Sequence, residues 1–305
     1  MRKIIVGVDE SQGSSDAIAL ASSLADITGS ELMLVNVFPY DERPSRALNR
    51  GFEEYLRQIS RDLLGRLRST LGDENVEVRS IANPSPAHGL HELAEQENAA
   101  LIVVGSTHTG RAGRVLPGST AERLLHGSPC PVAVAPKGHT QERVPTIIGC
   151  GYDGSAAARH ALEAAHSVAA ATGARLRAIR AFQPLAFEVP PDVAPGGSYN
   201  DALHDRAAAD LDAAVATIET EPRAEKFFAV GDAADILAEA SEQLDLLFVG
   251  SRGYGPLHAV MVGGVSGRLV REAACPVIVL PRTAGHTEED SLFTRATALQ
   301  ASNSV

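Results

Sequence analysis

The sequence predicts an α/β fold of two tandem doubly wound domains, each a five-stranded parallel sheet with helices on both faces. Three observations carry this reading. The first is an internal repeat: GSPCPVAVAP at 127–136 is matched by EAACPVIVLP at 272–281, so that Cys130 aligns with Cys275 at an offset of 145 residues. The same offset aligns LIVVGSTHTG at 101–110 with LLFVGSRGYG at 246–255 and Gly118 with Gly263, while an offset of 144 aligns Asp9 with Asp153 and the pair Thr28, Gly29 with Thr172, Gly173. Landmarks kept in one order at almost one spacing mark a tandem duplication. The second observation is periodicity, because short apolar runs alternate with longer segments of helical spacing, as in successive βαβ units. The third is composition: with no Trp and 4% aromatic residues, the core must be filled by Ala, Val, Ile and Leu, the palette of helices packed on parallel sheets.

Each element follows from this pattern. In the first repeat the strands are IIVGV, ELMLVNV, VEVRSIA, ALIVVG and PVAVA, separated by helices near 16–28, 53–71, 86–96 and 119–126. The second repeat reads the same way, with TIIGCGY, RLRAIRAF, EKFFAV, LLFVG and PVIVL as its strands. The domains therefore run over 1–137 and 146–282, joined by a polar linker at 138–145 and followed by a polar C-terminal tail at 283–305. The Pro- and Gly-rich stretch at 184–198 is expected to be an exposed loop and the tail to be frayed. PVAVA and PVIVL are expected at sheet edges, charge-free and in need of a partner. The duplication supplies one within the chain, an antiparallel pairing of the two edges that makes an intramolecular pseudo-dimer; a homodimer through some other surface stays open.

Composition and motifs exclude several functions. A formal charge of -11, from 27 Lys and Arg against 38 Asp and Glu, is the wrong footprint for neutralising nucleic-acid or membrane phosphates. No apolar run approaches the roughly 18 residues of a membrane span. Three cysteines make no disulfide framework, and the strand-like KIIVGV at the start leaves no room for a secretory apolar segment, so a cytoplasmic location is expected. There is no Walker GxxxxGK[ST], GxSxG or HExxH, and no GxGxxG after the first strand. His88 and His91 lie three apart on a predicted helix but lack a third ligand, which favours an ordinary surface helix over a metal site. Cys130, Cys150 and Cys275 read as inert core thiols.

In open α/β sheets ligands bind beyond the carboxyl ends of the strands, where the strand order reverses. Asp9 and Asp153 end the first strand of each repeat, and each fourth strand runs into a glycine-punctuated loop, GSTHTGRAGRVLPGST or GSRGYGPLHAVMVGGVS, that leads to a helix. Backbone N–H groups at such a turn make a phosphate cradle, with glycine supplying close approach or positive φ. The alternative is that the glycines only make turns and the aspartates only cap helices. Arg111 and Arg114 are either phosphate partners or solvated loop residues.

These residues resemble the universal stress protein family, whose ATP-binding signature is Gly, two residues, Gly, nine residues, Gly, then Ser or Thr. Repeat 2 matches it at Gly250, Gly253 and Gly263 but has Gly264 at the hydroxyl position, with Ser266 two residues on. Repeat 1 keeps Gly105, Gly118, Ser119 and the following Thr120 but carries His108 at the middle glycine. Asp9 and Asp153 match the family's strand-end Asp; repeat 2 keeps Asp153-Gly154-Ser155, whereas repeat 1 has Glu10 in place of the glycine. The resemblance implies a strand order of 3-2-1-4-5 in each repeat, ATP with Mg²⁺ as ligand, and main-chain groups around Val37 and Ala181 holding adenine. It leads to a cytoplasmic ATP-binding protein of stress response or signalling with protein partners still to be found. The alternatives are an interaction module of the same fold that has lost nucleotide, or an enzyme of slow ATP hydrolysis or adenylyl transfer, for which no catalytic residue is identifiable.

Overall fold

The computed structural model describes residues 2–40, 50–106, 118–140, 144–185, 199–251 and 264–281. The tail, most of the 184–198 stretch, and the loops carrying His108, Arg111, Arg114, Gly253 and Gly263 lie outside the described residues. The first repeat runs β1 (Lys3–Gly7), α1 (Gln12–Thr28), β2 (Glu31–Phe38), α2 (Arg50–Leu71), β3 (Glu77–Ala82), α3 (Pro86–Gln96), β4 (Leu101–Gly105), α4 (Ser119–Leu125) and β5 (Val132–Ala135). The second runs β6 (Ile147–Gly151), α5 (Ala156–Thr172), β7 (Arg175–Phe182), α6 (Tyr199–Ala216), β8 (Ala224–Val230), α7 (Ala233–Ala240), β9 (Leu246–Gly250), α8 (Gly264–Glu272) and β10 (Val277–Leu280).

The repeated Thr-Gly landmark is a helix terminus. Thr28 Oγ1 donates to the Leu24 carbonyl at 2.7 Å and Gly29 takes the left-handed C-cap at φ 63°; Thr172 donates to the Val168 carbonyl at 2.8 Å and Gly173 caps at φ 72°. Left-handed geometry is cheap only for glycine, so the pair recurs where each first helix must stop and turn into the second strand.

All ten strands form one sheet in the order β3-β2-β1-β4-β5-β10-β9-β6-β7-β8. Pairing is parallel within each repeat and antiparallel at the joint, where Val134 faces Val277, Ala133 faces Ile278 and Val132 faces Val279. Every residue of β5 and β10 is buried, so the joint removes from water two apolar edges that would otherwise template aggregation. Two cores run along the sheet across both repeats. Helices α1, α2, α5 and α6 cover one face around Leu24, Leu64, Val168 and Leu211; α3, α4, α7 and α8 cover the other around Leu90, Leu124, Leu237 and Leu269. An exposed ion pair, Arg271 to Glu122 at 2.7 Å, links α8 to α4 across the joint; exposed pairs add little stability. No helix among the described residues is long and apolar enough to cross a membrane.

Candidate functional site

In each repeat the sheet order reverses beside the first strand, and a crevice opens there at the carboxyl ends. The first crevice holds about 200 Å³ and is lined on its apolar side by Val8, Val35, Val37, Leu90 and Val104. Its polar side carries Asp9, Ser11, Ser14, Ser106 and Thr120, with Gly105 and Gly118 between them. The second crevice holds about 90 Å³ and is more apolar, with Ile179, Ala181, Leu237, Val249 and Val265 around Asp153 and Gly250. The fold thus gathers Asp9, Val37, Gly105, Gly118 and Thr120 in one place and Asp153, Ala181 and Gly250 in the other. Ser119 is the first residue of α4 beside this group, and Gly264 and Ser266 lie in the first turn of α8.

The aspartates do not cap the helices that follow them. Ser11 and Ser155 occupy the N-cap positions, and each aspartate instead folds its own turn: Asp9 Oδ1 accepts from the Ser11 N–H at 2.8 Å, and Asp153 Oδ1 from the Ser155 N–H at 3.0 Å. The repeats then diverge. Ser14, whose residue is 3% exposed, accepts the Asp9 N–H at 2.7 Å and shares its hydroxyl proton between the Asp9 carbonyl and Oδ1 at 2.8 and 3.0 Å. Its counterpart in repeat 2 is Ala158, which lines the second crevice without a polar group. The Ser155 hydroxyl caps α5 by accepting from the Ala158 N–H at 3.1 Å, whereas Ser11 makes no side-chain cap on α1. Gly154 takes a left-handed φ of 84°, a conformation Glu10 does not share, since Asn98 is the one non-glycine with positive φ among the described residues. Repeat 1 therefore accommodates Glu10 by a different turn and not by strain.

The signature glycines that can be described have a reason other than conformation. None of Gly105, Gly118 and Gly250 has positive φ, and Gly118 sits at φ -74°. A Cβ on Gly105 would lie 2.0 Å from the Gly13 carbonyl oxygen, and one on Gly250 would lie 2.6 Å from the Ala157 carbonyl carbon. Both glycines let the first helix of the repeat press its opening turn onto the end of the fourth strand, which is close backbone approach between helix and sheet. Gly118 instead is the N-cap of α4 and, having no side chain, supplies no cap to the first-turn N–H groups of that helix.

Main-chain geometry also singles out the two positions expected to meet a base. The Val8 N–H donates to the Val35 carbonyl at 2.9 Å and the Tyr152 N–H to the Ile179 carbonyl at 2.8 Å, which closes the ladder between the first and second strands. Val37 and Ala181 follow two residues later, so their N–H and C=O point to the same side, past the end of the first strand. Sequence reasoning missed Ser14, Ser11 and Ser106. A serine five residues after Asp9 was the available signal, and its absence at Ala158 was equally visible.

Among the described residues no group of three His, Cys, Asp or Glu is placed to hold a metal ion; His88 and His91 pair with Glu92 and Glu95 along α3. The three cysteines are free and buried. Burial pushes the Cys130 thiol up to about 12 and those of Cys150 and Cys275 further, which keeps all three protonated and unreactive.

The sequence profile of the Universal stress protein family matches this chain twice, over residues 1–136 and 146–281. The chain belongs to the universal stress protein family. A universal stress protein of Mycobacterium tuberculosis is 28% identical over 257 residues, covering 79% of this chain and 81% of that protein. One from Mycolicibacterium smegmatis is 27% identical over 303 residues, 91% of this chain and 96% of the relative. Among solved structures, a universal stress protein from Archaeoglobus fulgidus matches with a TM-score of 0.68 at 22% identity, covering 92% of this chain and 98% of that one, a likeness of fold. Two family domains in one chain account for the internal repeat of this universal stress protein.

Proposed function

We propose that this universal stress protein binds an adenine nucleotide, ATP with Mg²⁺, and that repeat 1 is its higher-affinity site. The single observation that carries the reading is the first crevice itself. It joins an apolar slot under the free main-chain edge of Val37 to a polar end built from Asp9, Ser14, Thr120 and the uncapped start of α4. An apolar wall with a main-chain donor and acceptor suits adenine, a carboxylate suits ribose hydroxyls or a magnesium ion, and exposed N–H groups with hydroxyls suit phosphate oxygens. Magnesium offsets repulsion between the nucleotide and a chain of charge -11. In the bound state the protein acts in the cytoplasm as a stress or signalling protein that regulates partners, without dedicated catalysis.

Denaturing the purified protein and analysing what it releases by mass spectrometry tests this, with adenine nucleotide as the expected product. A chase with time that yields ADP would move the reading toward slow hydrolysis. Calorimetry should give tighter binding of ATP than of GTP; equal affinities would remove the role assigned to Val37 and Ala181. The smaller, more apolar second crevice supports a narrower second reading, in which repeat 2 has moved from nucleotide binding toward an interaction or scaffolding role.

A further inference from the structure

The outermost strands of the sheet, β3 at one end and β8 at the other, have no strand on their far side among the described residues. The two edges are finished differently. On β3 the position paired with Val35 is Arg79, whose guanidinium bonds Glu77 at 2.7 Å and Glu97 at 3.4 Å, while Lys3 reaches the same two carboxylates from β1. A charged net of this kind keeps a further strand away. On β8 the corresponding position, paired with Ile179, is Phe227. Its residue is 41% exposed and opens the uncharged run Phe227, Phe228, Ala229, Val230, which ends on a residue 60% exposed.

The two charges of β8 are drawn inward and do not guard its edge. Glu225 lies 3.8 Å from both Arg175 and Arg177 of the neighbouring strand, and Lys226 bonds Asp212 of α6. Phe228 also turns toward α6, where its ring meets His204 edge-on at 4.9 Å between centroids. Main-chain groups are what the edge presents. The Gly231 N–H bonds the Phe182 carbonyl at 2.9 Å, so alternate residues direct their N–H and C=O toward β7, and Ala224, Lys226, Phe228 and Val230 direct theirs outward.

We propose that β8 is a homotypic dimerisation edge, pairing antiparallel with β8 of a second copy of this chain about a two-fold axis at Phe227. The strand is self-complementary in that register. All of 224–230 overlaps: Phe227 meets Phe227 of the second copy, Lys226 meets Phe228, Glu225 meets Ala229 and Ala224 meets Val230. No like charges stand opposite, the outward main-chain groups pair with one another, and the two exposed rings cover each other at the axis. Centring on Lys226 would oppose two lysines, and centring on Phe228 would leave Ala224 and Glu225 unpaired. Self-complementarity selects a second copy over an unrelated strand, because each contact away from the axis is made twice. The joint of β5 with β10 already extends the sheet by antiparallel pairing within the chain. A single short ladder is a small interface, so the dimer is reversible.

Sedimentation equilibrium of the full chain up to about 200 µM should show a monomer–dimer equilibrium. Phe227→Arg copies Arg79 onto β8, sets like charges face to face, and should weaken dimerisation at least about tenfold at unchanged circular dichroism. Tyr55→Arg, at an exposed apolar residue of α2, should change it less than about twofold. Phe227→Cys should give a disulfide-linked dimer under mild oxidation, since the Cβ atoms of facing antiparallel residues lie about 4.5–5.5 Å apart and the three native cysteines are buried. A chain that stays monomeric overturns the proposal and leaves the edge to a different strand. So does a dimer that Tyr55→Arg dissociates and Phe227→Arg does not, or a Phe227→Cys variant that fails to cross-link.

Discussion

The two crevices are built by the same strands in the same order, yet they differ where chemistry would occur. In repeat 1 the strand-end aspartate is buttressed by Ser14, the fourth-strand glycine faces another glycine, and a threonine looks in from α4. In repeat 2 the matching positions are Ala158, Ala157 and Val265, and the space between them falls from about 200 to about 90 Å³. The repeats share the elements that fold the sheet and differ in those that line the cavity. Packing constrains the first set through every neighbour.

The largest expected effect concerns what the repeats share. Val134→Lys combined with Ile278→Lys places two unpaired charges in fully buried strands at the joint, costing more than about 4–5 kcal/mol. Thermal melting and limited proteolysis at 138–145 should show the halves separating; a parent-like melting curve would contradict the role given to the joint.

Next come the paired glycines. Gly105→Ala meets the Gly13 backbone at 2.0 Å and Gly250→Ala meets Ala157 at 2.6 Å, so both should destabilise. Overpacking costs about 1–3 kcal/mol, and the repeat 1 variant should sit at the upper end or beyond. Denaturant midpoints check the order. If Gly105→Ala is neutral, the close helix–strand approach does not explain the glycine.

Smaller and more local is the carboxylate comparison. Asn keeps the Oδ1 acceptor that holds each turn, so Asp9→Asn and Asp153→Asn should leave melting unchanged. Asp9→Asn should lower ATP affinity about tenfold and Asp153→Asn only slightly, if Asp9 holds ribose or Mg²⁺ in the stronger site. Equal small losses in calorimetry would remove that asymmetry.

The smallest effect sharpens it. Ser14→Ala copies repeat 2 into repeat 1, leaves the Asp9 carboxylate held by the Ser11 N–H alone, and should cost about 1 kcal/mol of stability with a few-fold loss of ATP affinity. The reverse change, Ala158→Ser, should raise binding at repeat 2. No change in either variant would show that Ser14 does not position Asp9.

Much of the fold was legible because its signals are local. The runs IIVGV and LLFVG are apolar enough to be buried on both faces, RLRAIRAF keeps Leu176, Ala178 and Ile179 buried and its arginines at less buried positions, and Thr28-Gly29 announces a helix end that the backbone then adopts. The edge pairing of β5 with β10 was legible too, since uncharged edge strands in a duplicated chain have one obvious partner. What escaped was tertiary. Nothing local to Gly105 says that its missing Cβ makes room for the Gly13 carbonyl rather than for positive φ. Ser14 was hidden among the serines at 11, 14 and 15, and only the folded turn shows which hydroxyl reaches Asp9.

The central claim, an adenine nucleotide held more tightly in repeat 1 than in repeat 2, is tested most directly by blocking each crevice in turn. Thr120 and Val265 occupy corresponding positions on α4 and α8, both partly exposed and both lining their crevices, so tryptophan at either is placed to fill the cavity, with circular dichroism and melting checking that Val265, which also packs against the core, still allows folding. ATP titrations of Thr120→Trp and Val265→Trp, monitored by calorimetry with Mg²⁺ present, should show the high-affinity site lost in the first variant and kept in the second. Retention of parental affinity in Thr120→Trp, or its loss in Val265→Trp alone, would contradict the account.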